Sequence, residues 1–404
     1  MTEDLQDLKA VKHADVYKAG VLAGSLSRTS QGGTLFKYES AYLDSGAEAL
    51  AFSLPLTDSA VESNNGAVPP FFAGLLPEGH RLSMLRDATK TSLSDELTLL
   101  LAIGSDVPGD VQVVATGSNP HQVRSLAQVE DPAQLDFDKL AQTLDLNGIP
   151  GVQSKVSATM LTTPLALAGV PYILKLDPAD HEHLVVNEAA HLKGARGLSL
   201  PVAANRVITD GHGKMGLLVT RFDRVAGAQE ESAQVENIRR LPLEDGTQVL
   251  GLPPSVKYAV ESEQVALALA QRCKAPVVAL RNLYLQFVFA WLTGNGDLHA
   301  KNISVLGDGA GRFRVAPIYD IPCTLMYGDN TMALTVAGRH RKIKARHWAE
   351  FADSLGLPQR AAQAANQVAL RDAAAIKLAD LPFTGSTLRG AQRELRIRRG
   401  EFGG

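Results

Sequence analysis

The residues of this chain best suited to chemistry lie in one short run. Between Gly294 and Ser304 it reads Gly-Asn-Gly-Asp297-Leu-His299-Ala-Lys301-Asn302-Ile-Ser, and Pro-Ile-Tyr319-Asp320 follows about eighteen residues on. Two carboxylates and an amide in this order suit phosphoryl transfer from ATP. One carboxylate orients the attacking hydroxyl; the amide and the second carboxylate hold the magnesium that neutralises the β- and γ-phosphates. Asp297 and Lys301 are therefore the expected catalytic side chains, and Asn302 and Asp320 the expected metal ligands. Asp, Asn and Gly also favour turns for local reasons, so no one of these residues is informative alone; five in order are. Zinc binding by His299 and Cys323 is not expected, because neither has a suitably spaced partner.

The flanking sequence reads as elements that would hold this loop still. Pro276 can open a helix, where its missing N–H costs nothing. The run Val277–Leu292 is apolar almost all round and predicts a buried helix. It is too short, and too interrupted by Arg281 and Asn282, to cross a bilayer. Gly-Asn-Gly ends it. Ile303–Leu306 and Phe313–Ile318 then read as strands about the Gly-Asp-Gly-Ala-Gly turn. The Asp-x-x-x-x-Asn spacing equals that of protein-kinase catalytic loops.

With 404 residues the chain can hold two or three domains and bury a full core. Its 45% hydrophobic and 21% charged content is ordinary for a globular protein. A net charge of −3 argues against bulk nucleic-acid binding by the chain alone. Two cysteines, Cys273 and Cys323, give no disulfide framework and fit a reducing compartment. The first residues are acidic and lack a signal-peptide pattern. The expectation is a cytoplasmic protein with no membrane association.

Along the chain, residues 1–120 read as an α+β module, with strands at Asp15–Tyr17, Gly20–Leu26, Thr34–Tyr38 and Leu50–Ser53. Helix is expected after Pro69 and Pro77, and again over Ser94–Leu101 with Ser94 as its cap. Residues 121–240 form a second, β-rich part with strands at Lys155–Leu161, Tyr172–Leu176, Ala203–Ile208 and Met215–Thr220, and a helix at Leu184–Gly194. Residues 241–404 are mostly helical: Ser255–Gln271, Pro276–Leu292, His347–Leu355, Pro358–Leu378 and Thr387–Arg396. A β lobe followed by a helical lobe is the bilobal plan of a kinase. In the β lobe, Gly148-Ile-Pro-Gly151-Val-Gln153-Ser-Lys155 could present backbone N–H groups to phosphate. Lys175, in Tyr-Ile-Leu-Lys-Leu, needs an anionic partner in so apolar a strand; phosphate could supply one, and Glu188 on the next helix could pair with it. Thr220-Arg221-Phe222-Asp223 leads out of a buried strand into the second lobe, where backbone groups would hold adenine.

Seven such motifs, in order, resemble the HipA family of bacterial serine/threonine kinases, the toxin half of HipA–HipB type toxin–antitoxin modules. They are Phe71-Phe72-Ala-Gly-Leu-Leu-Pro77-Glu78-Gly79; Ala102-Ile-Gly104-Ser-Asp106-Val-Pro108-Gly109-Asp110; Gly151-Val-Gln153-Ser-Lys155; Ile173-Leu174-Lys175; Arg221-Phe222-Asp223-Arg224; Arg240–Asp245 through Leu252–Tyr258; and the Asp297–Asn302 and Tyr319-Asp320 pair. The resemblance implies an α+β, bilobal kinase-like fold with an N-terminal α+β subdomain and a mostly helical C-terminal lobe. It implies ATP and Mg2+ as cofactors and a HipB-like helix-turn-helix antitoxin as partner, with operator DNA reached only through that partner. A protein substrate is also implied, such as an aminoacyl-tRNA synthetase. Asp297 would be the catalytic aspartate, with Asn302 and Asp320 as magnesium ligands. Gly151, Gln153, Lys155 and Lys175 would bind ATP, Thr220 and Phe222 would form the hinge, and His299 and Tyr319 would line the nucleotide pocket. The chain departs from the family in two places. Thr220 replaces a hinge glutamate, and Gly148 stands where several members carry an autophosphorylated serine, which leaves Ser154 and Ser157 as the nearby hydroxyls. A small-molecule phosphotransferase and a pseudokinase corepressor are the alternatives. Finally, Arg339-His-Arg341-Lys342-Ile-Lys344-Ala-Arg346-His347 reads as an exposed basic strand face leading into a helix. Such a patch is either a solvated hairpin or a surface that touches operator phosphates beside a bound antitoxin.

Overall fold

The structure is a computed structural model describing residues 5–120, 128–129, 131–142, 161–167, 170–178, 180–226 and 238–402. The first module is an antiparallel sheet, ordered β4-β3-β2-β1-β5, built from β1 (His13–Lys18), β2 (Val21–Arg28), β3 (Thr34–Tyr38), β4 (Val61–Ser63) and β5 (Val111–Ala115). Period-two alternation buries Ala14 and Val16 of β1 on one face. That face packs with α1 (Ser40–Asp44), α2 (Pro70–Gly74), α3 (Gly79–Thr89) and α4 (Glu96–Ile103) into one core. The sequence reading missed β5 and β4. Leu50–Ser53 is not a strand: it makes a tight turn closed by a single Ala51–Leu54 bridge. The cap of α4 is Asp95, not Ser94. The Asp95 carboxylate accepts from the Thr98 N–H and is held by Arg28 at 2.8 Å, while the Ser94 hydroxyl bonds Ser92 instead.

A second sheet follows, ordered β6-β7-β8-β10-β9, from β6 (Gln128–Val129), β7 (Leu161–Leu167), β8 (Val170–Leu176), β9 (Asn205–Thr209) and β10 (Met215–Thr220). The two faces of β8 do different work. Leu174 and Leu176 pack with Phe137 of α5 (Phe137–Gln142), Ile208 and Leu218 in a small core. Ile173 and Lys175 point the other way, into a cleft. Helix α6 (Leu184–Ala195) crosses the strands β8 and β10 on that side.

A ribbon of β11 (Arg224–Ala226) and β12 (Ile238–Arg240) leads to the three-stranded sheet β13-β14-β15 (Leu243–Asp245, Ser304–Gly307, Phe313–Val315). The second expected hairpin strand stops at Val315, short of Ile318. Around this sheet pack α7 (Gly246–Val249), α8 (Ser262–Arg272), α9 (Pro276–Thr293), α10 (Ala345–Ser354), α11 (Gln359–Ala375) and α12 (Gly385–Gly400). Helix α8 begins at Ser262 rather than Ser255: Pro254–Val256 form a single 3-10 turn, and the Ser262 N–H bonds the Thr335 carbonyl where the helix starts. Helix α9 is buried on every side from Leu283 to Thr293, between α8, α11 and α12; only its first turn is open, with Val277 70% exposed. Gly294 ends it at φ +76°, and a Cβ there would meet Leu325 at 2.5 Å. Cys273 and Cys323 are free and buried. Among the described residues no helix is long and apolar enough to cross a membrane.

Candidate active site

Lys175 is the centre of the cleft's electrostatics. Its ammonium lies 2.8 Å from Glu188 Oε1 on α6 and 2.9 Å from Asp320 Oδ1, a residue 145 positions away. Burial alone would lower the lysine, but the two carboxylates hold it well above its ordinary value, so it stays charged. Burial pushes Glu188 above its ordinary value against the pull of Lys175, and the neighbouring Asp320 carboxylate adds to the rise. Asp320 adopts φ +54°, the left-handed region that non-glycine residues seldom enter. Asp320 lies beyond the end of β15 at Val315, and its side chain meets Lys175.

The catalytic-loop candidates sit directly below. Asp297 is 1% exposed, and the Tyr258 hydroxyl donates to its Oδ1 at 2.9 Å. Burial, then the Asp297 carboxylate, raise Tyr258 far above the usual phenol range, so it remains a donor. The Asp297 N–H donates to Asn295 Oδ1, and the Asn302 side-chain amide donates to the Asp297 carbonyl. With its NH2 engaged this way, the amide oxygen is the atom of Asn302 able to ligate a cation. Among the described residues no group of three or more His, Cys, Asp or Glu is gathered as a metal cage. The oxygens of Asn302 and Asp320 instead fit magnesium, which takes a few protein oxygens and completes its shell with phosphate and water. The Tyr319 hydroxyl donates to the Lys301 carbonyl at 2.8 Å, and its ring lies 5.6 Å from Phe222. His299 meets the Tyr258 ring edge-on at 4.9 Å and accepts the Lys301 N–H.

Lys175, Thr220, Phe222, Asp297, His299, Lys301, Asn302, Tyr319 and Asp320 all line one cleft. Gly151, Gln153 and Lys155, with Gly148, Ser154 and Ser157, lie outside the described residues. At the hinge, the N–H groups of Thr220 and Arg221 are taken by Ala204 and Pro171 carbonyls. Lys301 lines the cleft, but its ammonium is bonded to the Gly74 carbonyl at 2.8 Å and to Asp245 at 3.2 Å. That geometry ties the loop to the first module.

Sequence reasoning did not find this tie. Glu78, from Leu-Leu-Pro-Glu-Gly, is ion-paired with Lys257, which is 1% exposed, and approaches Lys301 at 4.0 Å. A second buried network joins Asp106 of the first module to Arg221 at 2.9 Å, Arg224 at 2.7 Å and Arg240 at 3.2 Å. Burial alone would raise Asp106, yet the three arginines hold it below its ordinary value. The usable signal was chemical: charged residues inside apolar motifs need partners. Nothing local named those partners.

Two layers of sheet and helix closing over a buried lysine–glutamate–aspartate cluster define a bilobal, kinase-like α+β protein. The family descriptions "HipA N-terminal domain" and "HipA-like C-terminal domain" match residues 14–114 and 147–376. The chain belongs to the HipA family. It is 29% identical over 86% of its length to a putative kinase, Y4mE, of Sinorhizobium fredii, of which it covers 86%. It is 29% identical to the serine/threonine-protein kinase toxin HipA of Shewanella oneidensis, over 77% of this chain and 76% of that one. Its fold superposes with a TM-score of 0.75 and 22% identity on a chain of the Shewanella oneidensis HipA, HipB and operator DNA complex, covering 96% of each.

Proposed function

We propose that this protein is an ATP- and Mg2+-dependent serine/threonine protein kinase and the toxin of a toxin–antitoxin module, held in check by a HipB-like helix-turn-helix antitoxin in the cytoplasm. The observation that carries the reading is the meeting, in one cleft, of Lys175, Glu188, Asp297, Asn302 and Asp320. ATP would supply the transferred phosphoryl group and magnesium the counter-charge. Lys175, kept charged by Glu188 and Asp320, is the cation for the phosphates. Asp297, fixed by Tyr258 and Asn295, is the carboxylate that orients the acceptor hydroxyl. Asn302 and Asp320 are the oxygen donors for the metal. The kinase names of its relatives support the reaction class, and the Shewanella complex supports an antitoxin partner through which operator DNA is reached.

Purified protein incubated with Mg-ATP and serine- or threonine-containing peptides should transfer phosphate, whereas the Asp297→Asn protein should not. Equal transfer by both proteins, or none by either, would overturn the proposal. Co-expression with the neighbouring reading frame should relieve growth arrest if that frame encodes the antitoxin.

A further inference from the structure

The basic stretch does not form the strand expected of it. Residues 336–339 make a two-residue reverse turn, with the Val336 and Arg339 backbones bonded both ways at 3.0 Å. Ala337 and Gly338 both have positive φ, at 47° and 70°, as a type I′ turn requires. The turn is anchored rather than loose. Glu263 of α8 accepts the Ala337 N–H at 2.8 Å, and the Ser262 N–H donates to the Thr335 carbonyl at 3.0 Å. Arg339 and Arg341 are exposed, and neither pairs with a carboxylate among the described residues.

This turn forms one wall of an open groove lined by Tyr258, Met332, Gly338, Arg339, His340 and Arg341. The groove adjoins the catalytic loop in two ways. Tyr258 lines the groove and donates its hydroxyl to Asp297, which lines the cleft. Gly296, next to Asp297, packs so closely on the same segment that a Cβ there would lie 2.7 Å from the Thr331 carbonyl oxygen. A chain lying in the groove therefore passes beside the carboxylate expected to orient the acceptor hydroxyl. The surrounding protein carries a net −3, so positive charge here is local and selective.

We propose that this groove is the acceptor-docking site and that Arg339 and Arg341 select a protein segment bearing carboxylates next to the phosphorylated hydroxyl. The proposal rests on the kinase reading above, and it redirects these two arginines from operator phosphates to the substrate.

The test uses the full chain and fluorescein-labelled short peptides with one serine flanked by glutamates, by lysines or by alanines. Binding is followed by anisotropy across a salt series, alongside phosphoryl transfer to the same peptides. The glutamate peptide should bind the wild type tightest, with an advantage that shrinks as salt rises. Arg339→Glu/Arg341→Glu should lose about tenfold on the glutamate peptide and gain on the lysine peptide, the scale expected for two exposed ion pairs reversed. Arg339→Gln/Arg341→Gln should fall between, with KM moving and kcat and peptide-free ATP turnover unchanged. Equal binding of the three peptides, or an unchanged order in the charge-reversed protein, would overturn the proposal. So would weaker binding of labelled duplex DNA by the variant with peptide binding intact, which would assign the arginines to nucleic acid. Transfer with no acidic preference would sink the groove and leave the kinase reading standing. Acidic preference with no transfer to any peptide would keep the groove as a site for acidic segments but sink the kinase reading and, with it, the acceptor role.

Discussion

Asp297 and Tyr258 form a contact whose two halves can be separated. Asn at position 297 keeps an oxygen to accept the Tyr258 hydroxyl, so the fold should be preserved while the charge is lost. Asp297→Asn should therefore melt near wild type yet lose on the order of 10³-fold in phosphoryl transfer, the scale at which charged groups act in this chemistry. Tyr258→Phe removes one hydrogen bond, worth about 1 kcal/mol, and should slow transfer by about fivefold. Single-turnover rates with Mg-ATP, together with thermal melts, check both. If Tyr258→Phe were as inactive as Asp297→Asn, the tyrosine would be doing more than orienting the carboxylate.

Between elements, carboxylates link the first module to the helical lobe. Glu78, at the start of α3, pairs with Lys257, and replacing it with Gln strands a buried ammonium. Breaking one side of a buried pair costs about 3–5 kcal/mol. Glu78→Gln should thus lower the denaturant midpoint sharply, and it should slow transfer because Lys301 shares the same network. A Glu78→Gln protein as stable as the wild type would show that the pair contributes nothing. Glu244 on β13 accepts the Phe52 N–H from the first module, and burial pushes its carboxyl up to about 8. The folded state therefore holds a proton that the unfolded state gives up near the ordinary glutamate value. This group's contribution to stability is present below about pH 4.5 and is lost as pH rises toward 8. Urea unfolding at several pH values should show that loss in the wild type relative to Glu244→Gln. Parallel pH profiles would refute it.

At the scale of the whole molecule, the cleft between lobes should make stability depend on nucleotide. Ligand at a hundred times its Kd adds about 2.7 kcal/mol, so Mg-ATP should raise the melting temperature of the wild type. Lys175→Met, which leaves Glu188 and Asp320 facing each other without their cation, should show little rise. A full Mg-ATP shift in that variant would remove Lys175 from the nucleotide site.

Much of this arrangement was legible in the chain. Spacing within Asp297–Asn302, the lone charge of Lys175 in an apolar strand and the mostly apolar run of α9 are local properties, and local properties report which segments are buried and which loops lie between rigid elements. Three things were decided only by tertiary structure. Lys175, Glu188 and Asp320 meet across 145 residues because two sheets and α6 converge there. Glu78, Lys257, Lys301 and Asp245 find one another because the first module docks on α7 and α8's lobe, a contact no single segment encodes. The basic stretch reads as a strand by alternation, yet only Arg339 of it forms a bridge, closing the Ala337-Gly338 turn that Glu263 of α8 holds, and Lys342 then leaves extended geometry at φ +51°. Periodicity reports which way a side chain faces. Only the folded chain decides what stands opposite it, and for charged groups the partner sets both the energy and the chemistry.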